Sequence, residues 1–333
     1  MFCAAVLGAC GSSGSSSTTT RTGPTSVPTA TTPTASSAPA PVPANAISPR
    51  LSSFPKPDGR TLTQLAQVVS GSVQFGAATG TFTPGTRRLG FALTNNSGDF
   101  LYAPTAVYVA SGPNSKDVEG PYPAPADPMT VAPQYRSKQN AGPGGIQAIY
   151  GAQIRLPHAG TFSVLTLSQT AHGLVGAPGE VAVAASSPIP DVGQRAPAIA
   201  TDTLASVHGD AALLTTRIPP ESMQSEPLNA VLGKRPVALL FSTPQLCTSR
   251  VCGPVTDLAV SLQQQFAGRI EFIHEEVYVD NQPTKGLRPQ MKAFHLETEP
   301  WLFAINRQGV IVARLEGAFG INELRAALEA ALR

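Results

Sequence analysis

The stretch Pro236-Val-Ala-Leu-Leu-Phe241-Ser-Thr-Pro244-Gln-Leu-Cys247-Thr-Ser-Arg250-Val-Cys252-Gly-Pro254-Val255 decides how the last third of this chain folds. Its opening residues are continuously apolar, the pattern of a strand buried on both faces of a sheet. Ser-Thr-Pro then ends the run, and from Val255 onward apolar residues recur at Leu258, Ala259, Leu262 and Phe266, which is helical spacing. Arg269-Ile-Glu-Phe-Ile-His-Glu-Glu-Val-Tyr278 reads as a second strand, so these elements in order form a βαβ unit. Cys247 and Cys252 fall between the first strand and the helix.

Working outward, Trp301-Leu-Phe-Ala-Ile305 and Val310-Ile-Val-Ala-Arg-Leu315 are strands joined by the hairpin signal Asn306-Arg-Gln-Gly309. A last helix sets Leu324, Ala327, Leu328 and Ala331 on one face. Upstream, residues 225–233 read as a short helix with Ser225 as N-cap, Pro227 in the first turn and Gly233 past the end. The order is βαβ, then ββα. With Phe241-Ser-Thr-Pro244 leaving the strand, Cys252-Gly253-Pro254 opening the helix and Glu299-Pro300 before a later strand, residues 191–333 resemble the thioredoxin fold. That resemblance implies a cis bond at Pro300, a Pro300 facing the active-site thiol, and thiol:disulfide exchange as the chemistry. The chain also departs from the pattern. Thioredoxins carry Cys-Gly-Pro-Cys, whereas Cys252-Gly-Pro is followed by Val255 and the second cysteine, Cys247, lies five residues earlier. Peroxiredoxins and copper-delivery proteins with a longer loop before the helix offer a looser likeness.

A thiol at a helix start is stabilised as thiolate by free backbone amides and by the helix dipole, so Cys252 is the expected nucleophile and Cys247 the resolving thiol. Arg250 either adds positive potential there or points into solvent. His274 and His295 are candidate third ligands of a copper site, because soft thiolates select Cu(I) and imidazole tolerates it. His274 reads more simply as a strand-end residue and Trp301 as a core aromatic, so no metal and no cofactor is expected. The alternatives to an oxidoreductase are a copper-delivery protein and a non-catalytic binding module, the latter's disulfide a staple worth only ~2 kcal/mol for so short a loop.

Between residues 60 and 187 the pattern changes to short β-type runs: Leu89–Leu93, Ala106–Ala110, Thr161–Leu167 and Glu180–Ala184, with Asn95-Asn-Ser-Gly-Asp99 as a turn. An all-β, immunoglobulin-like sandwich is expected, with residues 111–145, rich in Pro and Gly, as an irregular excursion. Gly142-Pro-Gly-Gly145 fails as a phosphate loop, since no strand leads in and no Lys-Ser/Thr follows. Residues 11–57 are mostly Ser, Thr, Pro, Ala and Gly, too poor in apolar surface to fold, and read as a disordered tether. The chain is thus multidomain, with an α/β unit at its C-terminus.

Residues 1–10 end in Leu7-Gly-Ala-Cys10, which resembles a bacterial lipobox with Cys10 as the lipidated residue; Cys3 would leave with the signal. A charged n-region is missing, so the true start is expected upstream of Met1. The implied location is the extracytoplasmic face of the cell membrane, where a neighbouring cysteine pair can cycle or stay oxidised. Net charge is +2 and charged residues are 13% of the chain, too few to build a phosphate-binding surface. The expected partners are therefore exported protein thiols or disulfides and the membrane through its anchor, not nucleic acid.

Overall fold

The computed structural model describes residues 41–140 and 145–333, in a mixed α/β arrangement with several sheets. Cys3, Cys10 and most of the expected tether lie outside the described residues, as do Gly142, Pro143 and Gly144. No described helix is long and apolar enough to cross a membrane.

Residues 41–57 correct the expected boundary of the tether. They hold the short helix α1 (Ala44–Ile47), Ala46 and Phe54 are buried in two of the cores, and the Tyr108 hydroxyl donates to the Pro55 carbonyl at 2.7 Å. A few apolar side chains in a polar segment are enough to dock it where a matching surface exists. Helix α2 (Leu62–Leu65) follows, closed by a capping box between Thr61 and Gln64.

Nine strands come next: β1 (Gly71–Ser72), β2 (Gln74–Ala77), β3 (Gly85–Thr94), β4 (Thr105–Ala110), β5 (Glu119–Pro123), β6 (Ala126–Pro128), β7 (Ala148–Leu156), β8 (Gly160–Thr170) and β9 (Gly173–Val183). They form a sheet of order β1-β9-β8-β4-β5 and another of order β2-β3-β7-β6. Alternate residues of both enter one shared core, including Leu89, Phe91 and Leu93 of β3, Tyr150 and Ile154 of β7, and Phe162 and Val164 of β8. The stretch 111–145 is less irregular than expected, because it contains β5 and β6. Both are edge strands, where Pro121, Pro123 and Pro128 cost no ladder hydrogen bond in the middle of a sheet. Proline marked them as loop only because sequence does not reveal which strands lie at an edge.

The C-terminal part is built on the sheet β11-β10-β12-β13, from β10 (Val237–Phe241), β11 (Glu271–Glu275), β12 (Trp301–Ile305) and β13 (Ile311–Glu316). β10 pairs in parallel with β11, and β12 pairs antiparallel with both β10 and β13. Helix α3 (Leu228–Val231) precedes the sheet. Its first amide is capped from a distance by the Thr201 hydroxyl rather than by Ser225, which instead donates to Glu271. Helix α4 (Cys252–Gln265) crosses from β10 to β11, α5 (Pro289–Ala293) leads toward β12, and α6 (Ile321–Ala331) closes the chain with Leu324, Ala327, Leu328 and Ala331 buried. All residues of β10 and β12 are buried, and the two sheet faces serve separate cores, one under α4 and α6 and one around Phe241, Phe294 and Phe303.

The two sheet systems are joined by buried charge, and the described residues belong to one compact unit. Asp127 of β6 accepts from the backbone amides of Asn322 and Glu323 at 3.0 and 2.7 Å, capping α6 from another part of the chain. Gly320 is required there, since a Cβ would lie 2.3 Å from the Asp127 carboxyl carbon. Arg88 of β3 grips Glu323 through both carboxylate oxygens, at 2.6 and 2.7 Å, and donates to the carbonyls of Glu316 and Ala318. These contacts set the distance between the halves, and hence the width of the cleft described next.

Candidate active site: a thiol pair at the base of a cleft

The chain leaving β10 turns at once. The amides of Leu246 and Cys247 both donate to the Thr243 carbonyl, and Arg250, in a left-handed conformation at φ 58°, reverses the chain into α4. The turn returns Cys247 to the helix start. The two sulfurs lie 2.6 Å apart, within reach of a bond after a small adjustment. Cys252 is fully buried and Cys247 is 8% exposed, lining a cleft of about 990 Å³. The same cleft is lined by Ala77, Ala92 and Ile149 of the N-terminal sheets and by Phe100 and Ile146 of the loops beside them. Gln139, Asn140 and Gly145, from the stretch expected to be an irregular excursion, line the cleft as well.

Hydrogen bonding assigns the charge. Cys247 accepts hydrogen bonds from the Cys252 thiol, from the Ser249 hydroxyl at 3.2 Å and from the backbone N–H groups of Cys252 and Val251, which together hold its pKa down to about 5 against partial burial. Burial pushes Cys252 well up, and its position as donor to Cys247 adds to the rise. The two shifts run in opposite directions, down for Cys247 and up for Cys252, the reverse of the order expected from the sequence. Helix N-terminal amides point out of the helix toward the residues before it, so they serve the loop cysteine rather than the first helical one.

Glu299 was missed. Its carboxylate and both sulfurs lie within 4.8 Å of one another, and it lines the same cleft. Burial, then the Cys247 charge and Glu276, raise its pKa to about 7. Its place beside Pro300 was the available signal. The Glu299–Pro300 bond is cis, yet Glu299 is the residue of that loop that lines the cleft. Arg250 also lines it. Trp301 is buried, donates to the Thr298 hydroxyl and stacks on Phe303, as a core aromatic should.

Neither histidine joins the cysteines, which corrects the copper reading that required one. His274 is buried with its Nδ1 2.6 Å from Glu221 and its Nε2 3.0 Å from the Ser242 carbonyl, so both ring nitrogens are engaged. His295 borders a separate depression with Glu297 and Thr298. Despite burial, the Glu221 carboxylate raises His274 to about 9, and His274 in turn lowers Glu221 to about 2. A raised histidine contributes stability in full below its ordinary 6.5 and loses it as pH rises toward 9; a lowered glutamate contributes above 4.5 and loses it as pH falls toward 2. The pair is thus strongest between those ordinary values. Glu221→Gln is expected to flatten the fall in thermal midpoint between pH 6.5 and 9 relative to the parent chain; parallel curves would show the pair to be uncharged.

Residues 137–140 lie on the start of α4. Asp257, fully buried, accepts from the Ser137 amide and hydroxyl and from Asn140 Nδ2, and pairs with Arg217 Nε at 2.9 Å. Arg217 also donates to the carbonyls of Pro219 and Tyr135. The approach is so close that a Cβ on Gly253 would lie 2.5 Å from the Gln139 carbonyl oxygen. Gly253→Ala is therefore expected to destabilise the chain by about 1–3 kcal/mol and to speed alkylation of the reduced thiols, measured by denaturant melts and labelling rates. Unchanged values in both would mean that this packing is loose.

Neither a protein-family model nor a curated relative matches the chain. Among solved structures it is similar, at 15% identity and a TM-score of 0.31, to one from Chlorobium tepidum described as a thiol:disulfide interchange protein DsbE. The alignment covers 43% of this chain and 99% of that one.

Proposed function

We propose that the chain is a thiol:disulfide oxidoreductase of thioredoxin-like type, tethered through Cys10 to the extracytoplasmic face of a membrane, with Cys247 as attacking thiol and Cys252 as resolving thiol. The observation that carries this reading is the asymmetric sulfur pair: one stabilised thiolate on a cleft, and one protonated thiol behind it at near-bonding distance. The βαβ–ββα order around it supports the thioredoxin-like class. The N-terminal pair of sheets is read as an immunoglobulin-like sandwich that frames the substrate.

In the reducing direction Cys247 Sγ attacks one sulfur of a partner disulfide. The partner S–S bond breaks, a Cys247–partner disulfide forms, and the other partner sulfur leaves as thiolate. Cys252 then gives up its proton and attacks Cys247 Sγ, closing the internal disulfide and releasing the second partner thiolate. Glu299 is the carboxyl within reach of both sulfurs and is half-protonated near neutral pH, so it takes the Cys252 proton. Oxidation of a partner dithiol runs the same steps backward. A merely structural disulfide would not need a stabilised thiolate facing a cleft.

The test is reduction of insulin disulfides, with glutathione regenerating the reduced protein. Turnover well above the glutathione background supports the reading, and turnover equal to background overturns it. Glu299→Gln is expected to lower the resolving rate on the order of 10²-fold and to remove the limb of the pH profile near 7.

A further inference from the structure

The cleft base brings two sulfurs and a carboxyl group together, with a second carboxyl group close by. Cys247, Cys252 and Glu299 are, among the described residues, the group whose ligand atoms converge within 4.8 Å. Behind them Glu276 is fully buried, and its Oε2 has no hydrogen-bond partner. Arg250 stands at the rim. Sulfur and carboxylate ligand atoms converging beside a cleft that a solvent ion can enter are a good arrangement for a cation.

We propose that, with its thiols reduced, this chain binds one tetrahedral divalent metal ion of the zinc type through Cys247 Sγ, Cys252 Sγ and a Glu299 carboxylate oxygen, leaving a fourth position open to the cleft. The carboxylate sets the preference. Two thiolates alone would serve Cu(I) as well as Zn²⁺, but the hard Glu299 oxygen as third donor suits borderline Zn²⁺ or its probe Co²⁺ better than soft Cu(I). Reach is sufficient. Tetrahedral zinc with bonds of about 2.3 Å holds its sulfurs about 3.7 Å apart, so the sulfurs must separate by roughly one ångström from their present 2.6 Å. Cys247 sits on a loop and can supply that movement, while Cys252 is fixed in α4.

On binding, the ion loses waters, the Cys252 thiol releases its proton to solvent, and any proton on Glu299 leaves with it. No electron moves. Oxidation to the Cys247–Cys252 disulfide removes two of the three ligands, so the metal-loaded and disulfide forms exclude each other. This site stands on ligand geometry alone and does not depend on the protein turning over disulfides.

The experiment is a Co²⁺ titration of the reduced full chain, followed by displacement with Zn²⁺. The expected result is one equivalent bound, with intense sulfur-to-cobalt charge-transfer absorption and the visible bands of tetrahedral cobalt. Both signals should be absent in the oxidised chain and in Cys247→Ser. Glu299→Gln should keep the charge-transfer band but weaken affinity by at least about tenfold. Absence of the charge-transfer band in reduced wild-type chain overturns the site, and so does binding that persists after oxidation. Affinity unchanged in Glu299→Gln overturns the three-ligand assignment. Insulin reduction assayed without metal reports separately on the oxidoreductase, so either idea can fail without the other.

Discussion

Cys247→Ser is expected to abolish disulfide turnover completely, while Cys252→Ser keeps the first step and stops at the second. The reason is the division of roles at the cleft. On the proposed division Cys247 is the thiolate and the one of the two that keeps some exposure, at 8%, so its loss leaves only a fully buried thiol that no partner reaches. With Cys252 replaced, attack by Cys247 still forms the mixed disulfide, but nothing lies behind it to displace the partner. The variant should accumulate a covalent adduct, visible as a mass shift on a non-reducing gel and lost with dithiothreitol. If Cys247→Ser is the variant that traps and Cys252→Ser the silent one, the roles are the other way round.

Asp257→Ala is expected to cost about 3–5 kcal/mol, the largest stability loss of any single change considered. Its carboxylate is fully buried, balances the nearly buried Arg217 and holds the backbone and side chains of residues 137–140. Removing it strands a guanidinium away from water and frees the segment that covers the start of α4. A denaturant melt should show a large fall in midpoint. Replacing both partners, as Asp257→Leu with Arg217→Met, should recover part of the loss, because the uncompensated charge disappears. A fall below about 1 kcal/mol, the range of an exposed ion pair, would mean that the pair is hydrated.

Much of the C-terminal architecture is legible in sequence because its signals are local. A continuous apolar run marks β10, helical spacing marks α4 and α6, and Asn306 to Gly309 mark the hairpin between β12 and β13. The four apolar residues assigned to the buried face of the last helix are the four found there. What escaped were features decided by distant partners. Nothing near Asp127 in sequence says that it will cap α6, and nothing near Ser225 says that Thr201 will cap α3 in its place. Proline-bearing β5 and β6 are strands only because they lie at sheet edges.

The site shows the same division. That two cysteines meet at a helix start follows from their spacing. Which of them holds the negative charge depends on where Ser249 Oγ, the two amides and the Cys252 thiol all point, a three-dimensional fact. Glu299 reaches the sulfurs because the loop before β12 folds over the turn after β10, which joins residues about fifty positions apart in the chain.

The most direct measurement is the pH dependence of alkylation of the fully reduced chain by iodoacetamide, with each modified cysteine located by mass spectrometry. The expected result is a single fast-reacting thiol, Cys247, whose labelling midpoint lies near 5, with Cys252 inert across the neutral range. Faster labelling of Cys252, or two thiols that both titrate at the ordinary value of about 8.5, would contradict the thiolate assignment and the exchange mechanism built on it.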